Sequence, residues 1–215
     1  MKTVFLDRDG VINENRPDHV KSWDEFVFLP GALTSLRRLR TQGWRVIVVT
    51  NQAIIHRHIV PQTVVEDING RMLETVETAG GVIDAVLYCP HAADEGCDCR
   101  KPKPGLLLQA ARLFDLRLSE CYLVGDAFTD IAAGQAAGCA TVLVQTGRGR
   151  QQLGSPAARQ FQHYHVTPNL PSAVNWLIWA ERRRALRQRL FPLWPNPVSP
   201  QAKLPPVWST NSSST

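Results

Sequence analysis

Two carboxylates, Asp7 and Asp9, stand two residues apart behind the apolar run Val4-Phe5-Leu6 and just ahead of Gly10. A short apolar run that stops abruptly in acids and a glycine reads as a buried strand delivering carboxylates at its carboxyl end. Open α/β sheets bind their ligands at that edge. Strand alternation would place Asp7 and Asp9 on one side and turn Arg8 away, with Gly10 letting the chain leave tightly. Adjacent acids raise each other's pKa unless a cation lies between them, so a divalent metal is the expected companion. The bland alternative, a surface Asp-rich turn, does not explain the apolar run in front.

Three further apolar runs end in polar clusters. Residues 44–49 lead into Thr50-Asn51-Gln52, residues 82–88 into a Cys/His-rich stretch that reaches Arg100 and Lys101, and residues 122–124 into Gly125-Asp126 with Asp130 close behind. If these strands are parallel, one crevice gathers acids, a hydroxyl, an amide and a lysine. That set suits phosphoryl transfer: a metal and a cationic side chain neutralise phosphate oxygens while a carboxylate attacks phosphorus in line. Taken singly, Thr50 could be a strand-end turn residue, and Asp126 with Asp130 a helix N-terminus. Their recurrence at four strand ends favours the chemical reading.

Within the third cluster, Cys89-x-His91 and Cys97-x-Cys99 flank a glycine-containing turn. Four soft ligands in a stretch too polar to be core point to a closed, tetrahedral, structural Zn²⁺ site rather than a flexible thiol-rich loop. Cys99 precedes Lys101 by two residues, so the zinc is expected to hold Arg100 and Lys101 in the crevice. Cys121 and Cys139 read as ordinary buried thiols.

The elements that must position these residues follow from periodicity. Helices are expected at 32–41, capped by Gly43, at 61–79, at 106–114, from 127 to Gly138, and at 170–190. Strands are expected at 4–6, 44–49, 82–88, 122–124 and 141–144. Residues 23–29 suggest a hairpin or extended segment, and 147–168 a loop with a short strand at 164–166. Alternating strand and helix through about residue 146 implies an α/β fold, a three-layer parallel sheet covered on both faces. Residues 1–190 would form one domain, with the zinc loop at 89–99. The Pro/Ser-rich residues 191–215 are expected to be disordered or loosely docked.

The 215 residues are 44% hydrophobic, enough for a core, and carry a formal charge of +5. Five arginines between 182 and 189 set against Glu181 supply a local +4, leaving +1 for the rest. The basic balance therefore marks one helix end, and nucleic acid is not an expected partner. Apolar runs are short, so no membrane span is expected. The first strand follows Met1 directly, and five cysteines fit metal binding or burial in a reducing compartment. A cytoplasmic, monomeric protein is expected.

Taken together, Asp7-x-Asp9-Gly10, Thr50-Asn51-Gln52, Arg100-Lys101-Pro102-x-Pro104-Gly105 and Gly125-Asp126-x3-Asp130 resemble the haloacid dehalogenase superfamily. With the Cys/His insert they resemble its capless branch, which contains heptose bisphosphate and histidinol phosphatases. The resemblance covers about residues 3 to 148. It implies a five-stranded Rossmann-like core without a large cap domain, a Mg²⁺ site and a small phosphorylated metabolite as substrate. Carried over, Asp7 is the nucleophile that forms an aspartyl-phosphate, and Asp9 protonates the leaving alkoxide and later deprotonates water. Thr50 and the Asn51 backbone hold the phosphoryl group, and Lys101 balances its charge. Mg²⁺ takes the carboxylates of Asp7 and Asp126 and the Asp9 carbonyl, with Asp130 orienting this shell.

Three places depart from the heptose pattern: Ala53-Ile54-Ile55-His56-Arg57-His58 replaces a glycine-containing segment, Ala127 replaces a lysine, and the loop 14–19 is about one residue longer. None touches the expected nucleophile or metal ligands. Arg16, Arg57 and Arg100 remain candidates for a distal anionic group. The expected substrate is a sugar phosphate or bisphosphate such as D-glycero-D-manno-heptose 1,7-bisphosphate. Histidinol phosphate and a polynucleotide 3′-phosphate are the alternatives, the latter requiring the 182–189 arginines to track a backbone. A non-catalytic zinc-containing interaction module is the alternative of another kind, and it needs neither Asp7 nor Asp9.

Overall fold

A computed structural model describes residues 1–190; the expectation for residues 191–215 lies outside the described residues. Six parallel strands form one sheet: β1 (Lys2–Leu6), β2 (Trp44–Asn51), β3 (Ala85–Cys89), β4 (Tyr122–Gly125), β5 (Ala140–Val144) and β6 (Tyr164–Thr167). Their order is β3-β2-β1-β4-β5-β6. Strand alternation sorts the core into two layers. Val4, Leu6, Val46, Val48, Val124 and Val142 face one side, against α1 (Ala32–Thr41), α2 (Gln62–Thr78) and α6 (Leu170–Leu190). Phe5, Ile47, Val49 and Leu123 face the other, where α3 (Gly105–Phe114) and α4 (Phe128–Ala137) contribute Leu106, Leu107, Ala110 and Ala133.

The expected three-layer sheet is therefore present, with one strand more than the five anticipated. The short strand expected at 164–166 pairs with β5, Val142 opposite His165, and becomes the sheet's edge. Other boundaries differ for local reasons. The third strand starts at Ala85 instead of residue 82, because the Asp84 carboxylate accepts from the Val46 N–H at 2.7 Å, closing that end of the pair. Residues 23–29 form no hairpin: Trp23–Glu25 is a 3₁₀ turn, and only Phe28 makes an isolated bridge, to Asn13. The extended alternative holds for residues 27–29: the Glu14 N–H donates to the Val27 carbonyl at 2.8 Å and the Leu29 N–H to the Ile12 carbonyl at 2.9 Å, while Trp23, Phe26 and Phe28 cluster with centroids 5.0 to 6.3 Å apart. The supposed loop at 147–168 contains α5 (Gly149–Leu153) and a 3₁₀ turn, Pro156–Gln160.

The sheet order reverses direction at β1. Successive connections carry the chain outward through β2 and β3, then back to the other side of β1 for β4, β5 and β6. A cleft opens at such a switch point, at the carboxyl ends of the strands. Asp7 and Asp126 are the first residues beyond β1 and β4, and so lie side by side at that point.

Candidate active site

Lys101 lies at the centre of the cleft, buried on the loop that precedes α3. Its ammonium donates to the Val49 carbonyl at 2.8 Å and lies 3.0 Å from Asp7 Oδ1 and 2.5 Å from Asp130 Oδ1. Carboxylate oxygens of Asp7, Asp126 and Asp130 all fall within 4.8 Å of one another. All three acids are buried. Glycine makes this convergence possible: a Cβ on Gly10 (φ +87°) or Gly147 (φ +55°) would lie 2.2 or 2.3 Å from Asp126 Oδ2.

Three buried carboxylates against one buried ammonium leave two negative charges in excess, which is costly without a further cation. Burial pushes the Asp7 carboxyl up to about 7; Lys101 opposes the shift, while Asp130, Asp126 and Asp9 add to it. Burial and Asp130 likewise raise Asp126, although Arg148 pulls it down. Burial alone would lower Lys101, but Asp130 and Asp7 overcome it and hold the ammonium charged. Asp126 Oδ2 accepts from the Arg148 N–H at 2.8 Å, whereas Oδ1 is buried with no hydrogen-bond partner, the Arg148 guanidinium standing 3.5 Å off. A buried oxygen without a donor, in a surplus of negative charge, fits a hard divalent cation.

Asp9 does not join this cluster, contrary to the alternation argument. The strand ends at Leu6, and the turn at Gly10 swings the Asp9 carboxylate onto Arg8, whose guanidinium reaches both its oxygens at 3.0 and 3.2 Å. Asn13 Nδ2 and Gln52 Nε2 each donate to it at 2.9 Å. Burial would raise the Asp9 pKa, but Arg8 and the donors from Asn13 and Gln52 hold it below the ordinary carboxylate value. Arg8, expected to turn away, is thus buried and paired. Thr50 is also buried, and its hydroxyl accepts from Gln52 Nε2 at 3.0 Å. The Asn51 amide makes a reciprocal pair with Lys101: it donates to the Lys101 carbonyl at 3.0 Å and accepts from the Lys101 N–H at 3.1 Å.

The Cys/His loop forms a second cluster. Cys89 Sγ lies 3.6 Å from both His91 Nδ1 and Cys97 Sγ, and Cys99 Sγ lies 3.2, 3.3 and 3.5 Å from Cys89 Sγ, His91 Nδ1 and Cys97 Sγ. None of these cysteines is in a disulfide. With the sixth separation, His91 to Cys97, within 4.8 Å, the four atoms can surround one zinc ion, whose ~2.3 Å bonds to sulfur imply edges of roughly 3.8 Å. The loop is tied to its surroundings by Arg100, which donates to the His91 carbonyl at 3.0 Å, and by Glu95, which meets His56 Nδ1 at 2.8 Å.

Of the remaining candidates, Arg16 pairs with Asp18 at 3.3 Å and Arg57 approaches His19 Nε2 at 3.4 Å. Both stand on the loops beyond β1 and β2. Sequence reasoning missed Arg148 and assigned no role to Asn13 or Gln52. The signal for Arg148 was a fifth polar strand end, Gln145-Thr146-Gly147-Arg148, following β5. The Thr146 hydroxyl donates to the Gly10 carbonyl at 2.7 Å and so joins that loop to the first.

A parallel α/β sheet with a carboxylate behind β1, acids behind β4 and a buried lysine between them defines a phosphoryl-transfer hydrolase. The haloacid dehalogenase (HAD)-hydrolase-like family model matches residues 98–173. The D-glycero-beta-D-manno-heptose-1,7-bisphosphate 7-phosphatase of Pseudomonas aeruginosa is 43% identical over 153 residues, spanning 71% of this chain and 86% of that protein. Among solved structures, the D,D-heptose 1,7-bisphosphate phosphatase of B. bronchiseptica, complexed with magnesium and phosphate, superimposes with a TM-score of 0.79 at 38% identity, covering 84% of this chain and 99% of that one. The Burkholderia thailandensis phosphatase of the same name gives 0.65 at 31% identity, covering 83% and 99%. The chain belongs to the haloacid dehalogenase-like phosphatases, which are phosphoric monoester hydrolases.

Proposed function

We propose that this protein is a Mg²⁺-dependent, cytoplasmic and monomeric phosphatase, one domain over residues 1–190, that removes the 7-phosphate of D-glycero-D-manno-heptose 1,7-bisphosphate. The convergence of Asp7, Asp126 and Asp130 on Lys101 at the ends of β1 and β4 carries this reading. An Asp7 oxygen attacks phosphorus in line, and the bond to the sugar oxygen breaks as Asp9, ionised in the free protein and protonated from solvent as substrate binds, gives that oxygen a proton. Asp9 then takes a proton from water, which attacks the aspartyl-phosphate, releasing inorganic phosphate and freeing Asp7. Lys101, the Thr50 hydroxyl and the Asn51 backbone hold the phosphoryl oxygens. The carboxylates of Asp7 and Asp126 and the main-chain carbonyl of Asp9 would hold Mg²⁺, which supplies charge neutralisation on the transferring group.

Arg100, Arg16 and Arg57 are assigned to the distal part of the substrate. Zn²⁺ on Cys89, His91, Cys97 and Cys99 is structural, since four protein ligands leave no open position. Against the polynucleotide alternative, Arg184 of the helix that motivated it pairs with Glu120 at 3.4 Å, ahead of β4 and at the opposite end of that strand from Asp126. Phosphate release with Mg²⁺ should be compared on the heptose bisphosphate, histidinol phosphate and a 3′-phosphorylated oligonucleotide. The heptose bisphosphate is expected to give the highest kcat/KM. Preference for histidinol phosphate would overturn the substrate while leaving the reaction standing.

A further inference from the structure

Between the two acids, Arg8 is 1% exposed, and its guanidinium is divided between two partners. One terminal nitrogen reaches both Asp9 oxygens at 3.0 and 3.2 Å; the other donates to Asn69 Oδ1 at 3.1 Å. The guanidinium carbon lies 5.9 Å from the Phe26 ring centroid. Asn69 sits on α2, buried on the same face as Val65, Ile68, Met72 and Val76. An amide on an apolar helix face contributes nothing to packing that a leucine would not, and a buried guanidinium is costly unless its geometry is used. The Asn69 carbonyl fixes the plane of the guanidinium, and the guanidinium fixes the carboxylate.

We propose that Asn69, acting through Arg8, is a positioning residue that aims the Asp9 carboxyl at the leaving oxygen of the substrate. The inference rests on the phosphatase reading above. Asn13 and Gln52 hold the same carboxylate from β1's own turn and from the end of β2; Arg8 is the contact that ties it to α2. In the first half-reaction the Asp7–phosphorus bond forms and the phosphorus–alkoxide bond breaks; Asp9, which Arg8 holds in place as a carboxylate in the free protein, takes up a proton from solvent as substrate binds and passes it to the alkoxide oxygen. A carboxyl displaced from its line delays that proton and leaves the attack itself untouched.

The test compares kcat/KM on two esters, because in a two-step mechanism this ratio reads only formation of the aspartyl-phosphate. The heptose bisphosphate expels an alkoxide that needs a proton, whereas p-nitrophenyl phosphate expels a phenolate that does not. Asn69→Leu should lower kcat/KM about 30-fold on the sugar, a fraction of the ~10²–10⁴ that general acid catalysis supplies, and by less than about threefold on the aryl ester. Asn69→Asp keeps the acceptor and should restore the sugar rate to within about threefold of the parent. Equal losses on both esters would mean a structural role only and overturn the proposal, as would no loss on either. If thermal melts show that Asn69→Leu does not fold, Asn69→Ser is read by the same ratio. Asp7→Asn should lose both esters; if it retains them, the phosphatase reading itself has failed.

Discussion

In the proposed mechanism the Asp7 carboxylate has to be ionised to attack phosphorus, yet its surroundings resist ionisation. Its folded pKa of about 7 lies above the ordinary 3.8, chiefly through burial. Between those values the native state holds a proton that the unfolded chain releases, so Asp7's contribution to stability falls as pH rises from about 4 to about 7. The limit is on the order of 4 kcal/mol, since each tenfold change in proton affinity is worth ~1.4 kcal/mol. Asp9 is shifted the other way, so its contribution is lost only as pH falls below the carboxylate range, outside that window. Urea titrations of EDTA-treated protein should therefore show the parent losing stability relative to Asp7→Asn between pH 5 and pH 7.5, and Mg²⁺ recovering it at pH 7.5. A difference that does not change with pH would count against the buried charge surplus. Asp7, Lys101 and Asp126 were legible because acids and a lysine directly after apolar runs have few other reasons to be there. Arg8 and Asn69 were not, since a residue inside a motif and an amide on a helix gain meaning only from each other, across 61 positions.

At the scale of elements, the strand-end loops hold the site together more than the strands do. The Cys/His cluster was legible from ligand type and spacing, and the proposed coupling of its zinc to Lys101 would run through Arg100, which binds the His91 carbonyl, and Asn51, which clasps the Lys101 backbone from both sides. Metal analysis should find one zinc per chain, and Cys99→Ser should lower both zinc content and kcat, with hydrogen exchange rising over residues 89–105. Full turnover by a verified zinc-free sample would refute the coupling. The loop after β5 went unread because its contribution is a close approach of backbone, which leaves little mark on composition. There Gly147→Ala combines a strained φ of +55° with a Cβ 2.3 Å from Asp126 Oδ2. A Mg²⁺ titration of activity should show half-saturation raised at least about tenfold, the equivalent of roughly 1.4 kcal/mol. Unchanged Mg²⁺ dependence would place the metal away from Asp126. The 3₁₀ turn at Trp23–Glu25 was hard to read for a different reason: it is short and settles by packing onto the finished sheet, not by its own periodicity, whereas the short sixth strand was expected at 164–166 and is present.

For the molecule as a whole, the order β3-β2-β1-β4-β5-β6 explains why residues spread in sequence from Asp7 to Asp130 meet at one point. Alternating strands and helices announced a parallel sheet, and parallel strands bring their carboxyl ends to one edge. Charge follows the same polarity, with acids at that edge and Arg184 of α6 paired at the opposite end of β4. Among the described residues no helix is long and apolar enough to cross a membrane. Replacing exposed Arg182 and Arg183 by glutamate should accordingly leave kcat/KM on the sugar bisphosphate within about twofold at low and moderate salt, since exposed charges beyond a Debye length of ~10 Å are largely screened. A large, salt-dependent loss would reopen the nucleic-acid reading. The most direct test is to quench a Mg²⁺ turnover in acid within milliseconds and locate the phosphoryl group by peptide mass spectrometry. A phosphoryl adduct on the peptide containing Asp7, absent from Asp7→Asn, is the expected result; phosphate release with no such adduct, or continued turnover by Asp7→Asn, would contradict a covalent role for that carboxylate.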